Sequence, residues 1–322
     1  MKFFQFYTKH QIALRRLNYY QQQQKPQHLI CFKQWTAQMV LNIIYSAINL
    51  KRLINDTHCK RLDILAKAKV MILQEVNEPI LNMAVSKAAT LLGAYDTNIV
   101  DKLVWEKDYN GKIFSLMADA ICVATSTHMC VQRFAEQSTV PVICIRSRTH
   151  ASIQSLATVM AIIEEFGTMQ NVTVSYIGNP HPVLNSYLLL CPMLGAHIRF
   201  KCCCNKQQGV SPLLYKSSQD LTSQTSTESK PCHCIDKLLN QTTVIIAGPS
   251  GDKKNAKKFK IKLSDIQTNT NLHWIFFHTC PRGEEVEEDL FSHCNARTFH
   301  SFYNMQYISA ALLANAIKGY KF

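Results

Sequence analysis

The stretch that most restricts the fold is residues 171–203. It opens on NVTVSYIG (171–178), a β-branched run closed by glycine, passes through the apolar segment PVLNSYLLLCPML (182–194) and Gly195, and returns to a strand-like pattern in AHIRFKCC (196–203). Proline is tolerated in the first turn of a helix and glycine is common just beyond its end, so the middle segment reads as a helix with both boundaries marked. A strand, a helix and a second strand in that order form a crossover, and the two strands then lie parallel. In such a unit the turn after the first strand faces the crevice where α/β proteins hold ligands. That turn, residues 178–182, has a single glycine, so a dinucleotide-binding fingerprint is absent.

The same alternation runs along the rest of the chain. Strand-like runs at 68–73 (AKVMIL), 120–124 (AICVA), 140–145 (VPVICI), 243–247 (TVIIA) and 272–277 (LHWIFF) alternate with helical patterns at 37–48, 83–92, 129–136 and 306–318. Residues 152–166 form a strongly amphipathic helix that ends at Gly167 and lies between the two halves. The expected fold class is α/β, with two doubly wound parallel-sheet domains joined by a bridging helix. The expected divisions are a basic tail at 1–34, a first domain at 35–166, a second at 167–300, and a C-terminal helix at 301–322 packing back on the first domain. Residues 211–230, rich in Ser, Thr and Gln, read as a mobile surface loop.

Composition narrows the function classes. A chain of 322 residues, 47% hydrophobic and 18% charged, suits two ordinary cores. No apolar run reaches the roughly 18 residues needed to span a bilayer, so a soluble protein with no membrane partner is expected. The net charge of +13 is spread out, apart from the lysine-rich segment 252–262, which reads as a solvated face; nucleic acid is a minority reading. The 13 cysteines are odd in number and sit mostly in apolar segments, as Cys122, Cys144 and Cys191 do, which points to free thiols in a reducing compartment. No acidic residue precedes Asp56, and a basic, acid-free N-terminus is compatible with a mitochondrial presequence or an ordinary basic tail.

Several segments, in order and at matching spacing from about Trp35 to the C-terminus, carry a family resemblance: LMADA (116–120), SIQSLA (152–157), VSYIG (174–178) and HTCPR (278–282) followed by an acidic helix start. They resemble ornithine transcarbamylase, of the aspartate/ornithine carbamoyltransferase family. The resemblance implies two α/β domains, one for carbamoyl phosphate and one for ornithine, no cofactor, a trimer with active sites at subunit interfaces, and a mitochondrial matrix location. Carbamoyl phosphate carries about two negative charges, so arginines and helix N-terminal amides must converge on it.

The family's Ser-x-Arg-Thr-Arg turn for that donor corresponds here to Glu78, Pro79, Ile80, Leu81 and Asn82, without arginine or hydroxyl. The arginine implied after LMADA falls at Ala124 and the C-terminal one near Met305. The His of His-Pro-x-Gln falls at Ala151, one residue from His150. Asp-x-x-x-Ser-Met-Gly meets residues 247–251, which lack a carboxylate, and the Asn of the turn after Gly178 meets His181 or Pro182. In the His-Cys-Leu-Pro motif the cysteine is Thr279, and Cys280 takes the leucine position.

The retained positions are Gln154, His278 and Pro281, with Arg282 beside them. Each also has a plain scaffold role: Gln154 orienting a helix, Pro281 shaping a turn, Arg282 pairing with Glu284 or Glu285. The expectation is therefore a vestigial site with no catalytic residues, in a subunit that acts by association as a homotrimer or in mixed trimers with active carbamoyltransferase subunits. Two alternatives stay open. A transferase of altered substrate would need an anion cradle from Lys69, His128, His150 and His181. A metal or redox protein would use Cys202, Cys204, Cys232 and Cys234 at neighbouring strand ends, although neither pair has C-x-x-C spacing.

Overall fold

The computed structural model describes residues 26–75, 77–102, 109–202, 210–251, 253–270 and 273–322, with the side chains of 253–255 excepted. Helix α1 (Ala37–Thr57), capped by the Thr36 hydroxyl on the amide of Met39, leads into the first sheet. Its elements are β1 (Lys69–Gln74), α2 (Pro79–Leu91), β2 (Tyr95–Val100), α3 (Asn110–Ser115), β3 (Ala120–Ala124), α4 (His128–Gln137) and β4 (Val142–Arg146). The strands lie parallel in the order β2-β1-β3-β4. Strands β1 and β3 are apolar and buried nearly throughout, as helices on both faces demand, whereas the polar β2 (YDTNIV) takes the edge.

Helix α5 (Ser152–Phe166) crosses to the second sheet. There follow β5 (Thr173–Ile177), α6 (Pro182–Met193), β6 (His197–Lys201), α7 (Pro212–Thr225), β7 (Ser229–Pro231), α8 (Ile235–Leu239), β8 (Val244–Ala247), α9 (Lys253–Lys258), α10 (Leu263–Asn269), β9 (Ile275–His278), α11 (Glu288–Phe291) and α12 (Thr298–Lys318). The five strands are again all parallel, ordered β7-β6-β5-β8-β9, with β5 central and paired to both β6 and β8. The fold is thus α/β with two parallel sheets and flanking helices.

Helix α5 is buried from Ser152 to Ile163 apart from Gln154, because it packs against elements of both halves. Helix α12 starts well before the 306 expected from apolar spacing and lies against α1, α2 and α5. A partly buried polar cluster fastens these helices: Lys51 Nζ is 2.8 Å from Glu164 Oε1, and Glu164 also accepts from His300 and Asn304. One continuous apolar cluster includes Val70 and Ile72 of the first sheet, most of α5 and α12, and Val174, Tyr176 and Phe277 of the second.

Two expectations are corrected. The basic tail does not extend to residue 34, because Leu29 bridges in parallel to Ile143 on the edge of β4, and both Leu29 and Phe32 are buried. Residues 1–25, with the rest of the expected targeting segment, lie outside the described residues. Nor is 211–230 a loop: it supplies α7 and β7. Leu214, Ser218 and Thr222 fall at four-residue spacing on the buried face, and Ser218 Oγ bonds Ser229 Oγ at 2.9 Å, so small hydroxyls fill a helical contact surface that apolar periodicity does not mark. Among the described residues no helix is long and apolar enough to cross a membrane.

Candidate functional site

Between the two sheets, at the C-terminal ends of their strands, lies a cleft of about 700 Å³. Its first-domain wall is built where β1 ends. The buried Gln74 accepts from the Glu78 amide at 2.8 Å and donates to Asn98 at 2.6 Å, which fixes the path of the chain into α2. Glu75 accepts from Thr125 Oγ1 and from the amide and hydroxyl of Ser126 at 2.7–2.8 Å, holding the turn after β3. The Ser126 bonds keep the Glu75 carboxyl below the usual carboxylate range.

Glu78 occupies the N-cap position of α2 without making a side-chain cap bond. Its carboxylate reaches along the same wall to Arg146, the last residue of β4, at 2.7 Å. Arg148 follows two residues later and also lines the cleft, exposed. On the far wall His181 caps α6 by accepting from the Val183 amide at 3.3 Å. Burial, with the positive charge of Arg146 next in effect, pushes its imidazole down to about 4, so it is neutral at physiological pH.

Residues 78–82, where the family's anion-binding turn is expected, open α2. Pro79 is the first residue of α2 and has no amide hydrogen to offer, Leu81 is buried in the core, Ile80 is exposed, and Asn82 is half-buried beside Ser86. Arg146 and Arg148 are absent from the sequence-based expectation. The usable signal is their place at the C-terminal end of a predicted strand, where crevice residues belong. Lys69, one of the candidates for an anion cradle, starts β1 and so lies at the wrong end of the sheet. His128 and His150 do not line the cleft. Burial pushes His150 down to about 3 and lowers His128 too.

Pro281 and Arg282, at the end of the segment HTCPR, line a smaller hollow of about 330 Å³ with Ser250, Gly251 and Glu284. His278, fully buried, accepts from the Cys280 amide at Nδ1 (2.9 Å), so Nε2 carries the proton and donates to Glu285 at 2.9 Å. Glu285 also accepts from Ser250 Oγ at 2.5 Å and the Gly283 amide at 2.7 Å. Burial alone would raise Glu285; these donors outweigh it and leave the carboxyl lowered. Burial likewise keeps His278 below its ordinary value despite the carboxylate beside it. The pair is a neutral imidazole donating to an anionic carboxylate, with its remaining lone pairs used inside the protein.

Arg282 does not pair with Glu284 or Glu285 as expected. Its guanidinium meets Glu288 at 2.6 Å and stacks 4.5 Å from the Phe291 ring centroid. Gln154 Nε2 donates to the Thr279 carbonyl at 2.9 Å and thereby ties α5 to the second domain. The Thr279 hydroxyl is buried without a hydrogen-bond partner, Cys280 is half-buried with its thiol raised by burial, and Pro281 follows a cis peptide bond. Among the described residues Cys202, Cys232 and Cys234 do not gather into a group of three ligand atoms within 4.8 Å. Cys204 lies outside the described residues.

Known proteins resemble this chain in sequence and in architecture. Residues 170–316 match the family described as aspartate/ornithine carbamoyltransferase, Asp/Orn binding domain. An ornithine carbamoyltransferase of Acinetobacter baumannii is 26% identical over 221 residues, covering 63% of this chain and 67% of the relative. The family match, the relatives and the shared fold together support a member of the aspartate/ornithine carbamoyltransferase family. The mitochondrial ornithine carbamoyltransferase of Aquarana catesbeiana is 22% identical over 321 residues, a match that covers 92% of this chain and 89% of that relative. The solved ornithine carbamoyltransferase from Pyrococcus furiosus superposes with a TM-score of 0.85 at 21% identity, over 92% of this chain and 98% of that one. The interdomain cleft is therefore the site to weigh against carbamoyl transfer.

Proposed function

We propose that this carbamoyltransferase-family protein is a non-catalytic subunit that acts by association, as a homotrimer or within mixed trimers. The observation that carries the reading is the Glu78–Arg146 ion pair at the start of α2. The place where a donor anion would meet a helix N-terminus is taken by the protein's own carboxylate, and Pro79 removes one amide. With Arg146 offset by Glu78 and His181 neutral, the cleft presents, among the described residues, one uncompensated cation, Arg148, to a donor of about two negative charges. Each missing charge-assisted contact to the transition state costs about 3–4 kcal/mol, and two would leave less than a ten-thousandth of the rate.

Scaffold residues have remained while contact residues have changed: His278, Arg282 and Gln154 are each engaged in internal bonds. Association is supported by apolar side chains on the outer surface of the first domain, including Ile80 and Met83 of α2, 56% and 70% exposed. The test is a citrulline-formation assay with purified protein, run beside size determination by light scattering. Turnover above the uncatalysed rate refutes the reading, and so does a strictly monomeric protein that fails to join active subunits on co-expression.

A transferase of altered substrate is favoured by one observation, the exposed Arg148 in a cleft large enough for a small metabolite. Substantial thermal stabilisation by inorganic phosphate or carbamoyl phosphate would support that reading over the first.

A further inference from the structure

Two histidines that take no part in the cleft meet a cysteine from a distant part of the chain. The thiol of Cys31 and one ring nitrogen each of His128 and His150 all lie within 4.8 Å of one another. We propose that Cys31, His128 and His150 form a zinc site.

Three separate segments bring the donors together. Residues 29–31 run beside the edge of β4, with the Leu29 amide donating to Val142 O at 2.9 Å and the Cys144 amide to Leu29 O at 2.7 Å; Cys31 itself is extended. His128 is the first residue of α4, just beyond the end of β3. His150 stands in the turn between β4 and α5, its amide held by Ser147 Oγ at 3.0 Å. No short motif joins positions this far apart in sequence.

The donor geometry fits a tetrahedral ion. Zinc takes thiolate sulfur at about 2.3 Å and imidazole nitrogen at about 2.0–2.1 Å, which sets neighbouring donor atoms roughly 3.3–3.7 Å apart. Donors within 4.8 Å of one another would have to draw in by no more than about 1.5 Å to reach that spacing. The rings meet edge to face, 5.4 Å between centroids and 67° between planes. Each Nδ1 already has a hydroxyl partner, Ser147 Oγ at 3.2 Å from His128 and Ser186 Oγ at 3.4 Å from His150, which leaves both Nε2 atoms for the metal. Ligating imidazoles are ordinarily oriented by such a partner on the other nitrogen. A thiolate and two neutral imidazoles leave one coordination position for water or a small anion, the donor arrangement of an open zinc site. Lys33 lies close enough to lower both imidazoles and places adverse charge beside the ion, so an anionic fourth ligand is favoured. A bound ion would pin residues 26–34 to the strand ends beside Ser147.

The full-length, untagged chain should be purified without chelators, its zinc measured by mass spectrometry, and the metal-free protein titrated with Co²⁺. One equivalent of metal, tetrahedral d–d bands and a thiolate-to-cobalt charge-transfer band are expected. Cys31→Ser should abolish the charge-transfer band, and Ser147→Ala should keep it while weakening affinity about 10–100-fold. Circular dichroism of each variant separates loss of a ligand from loss of the fold. Absence of the band in the unaltered chain overturns the proposal. So does its persistence in folded Cys31→Ser, which would place the metal on other thiols such as Cys202, Cys232 or Cys234.

Discussion

Glu78→Gln should turn the cleft into a better anion site at almost no cost to the fold. In the native chain Arg146 Nη1 sits 2.7 Å from the Glu78 carboxylate. An oxyanion bonded to the other edge of that guanidinium would lie about 4–5 Å from Glu78. Both side chains are partly exposed, 39% for Arg146 and 27% for Glu78. An effective dielectric of about 40 then suits the pair, and the repulsion is about 3 kcal/mol for an anion of nearly two charges. Salt at about 0.15 M has a screening length of about 8 Å and leaves roughly half of that.

The substitution should therefore tighten phosphate binding by about 1.5 kcal/mol, somewhat more than tenfold in Kd. The ion pair it removes is worth no more than about 1 kcal/mol to folding, so the melting temperature should fall by a few degrees at most. Calorimetric titration of inorganic phosphate at two ionic strengths reads both quantities, and the gain should shrink as salt rises. A Kd within twofold of the unsubstituted chain at low salt would refute the assignment of Glu78 as the group that excludes anions.

Three further outcomes follow from the packing. Glu285→Ala leaves the His278 Nε2–H, the Ser250 hydroxyl and the Gly283 amide without their acceptor, and should cost about 3 kcal/mol in urea denaturation; a loss below about 1 kcal/mol would contradict a scaffold role for the pair. Glu164 is held near pKa 2, burial opposing and the bonds from His300, Lys51 and Asn304 prevailing. Its folded value lies below the unfolded one, so its contribution of about 2 kcal/mol is complete above pH 4.5 and lost as pH falls toward 2. Glu164→Gln should flatten the acid limb of a stability profile, and superposable profiles would exclude it as the cause. A Cβ on Gly248 would sit 2.0 Å from the Tyr176 hydroxyl, so Gly248→Ala should destabilise the second domain by about 2 kcal/mol, measured by thermal melting, unless Tyr176 moves from its bond to Asn179 O.

The parallel sheets were legible because their central strands carry unbroken apolar runs and their helices end on glycine, as at Gly93, Gly167 and Gly195. What was hidden is polar by construction. Strand β2 is an edge strand, half exposed along its length, and α7 presents Ser218 and Thr222 where an apolar stripe would have announced it. In the cleft, the absence of arginine and hydroxyl from Glu78 to Asn82 was plain. The partner of Glu78 was not, since Arg146 is separated from it by most of the first sheet and only the parallel order β1-β3-β4 sets them face to face. The grouping of Cys31 with His128 and His150 depends on the pairing of Leu29 with β4, a long-range contact that no local pattern encodes.

The apolar cluster that runs unbroken from the first sheet through α5 and α12 into the second has a consequence for how this molecule comes apart. Neither half owns a complete interior: cutting after Gly167 would strip α12 from α1 and α2 and lay bare one flank of α5. The halves should therefore melt in a single calorimetric transition, and a gene fragment encoding either one alone should yield aggregate rather than a folded lobe. A cleft on such a body can lose its chemistry by point changes, but the body itself is inherited whole.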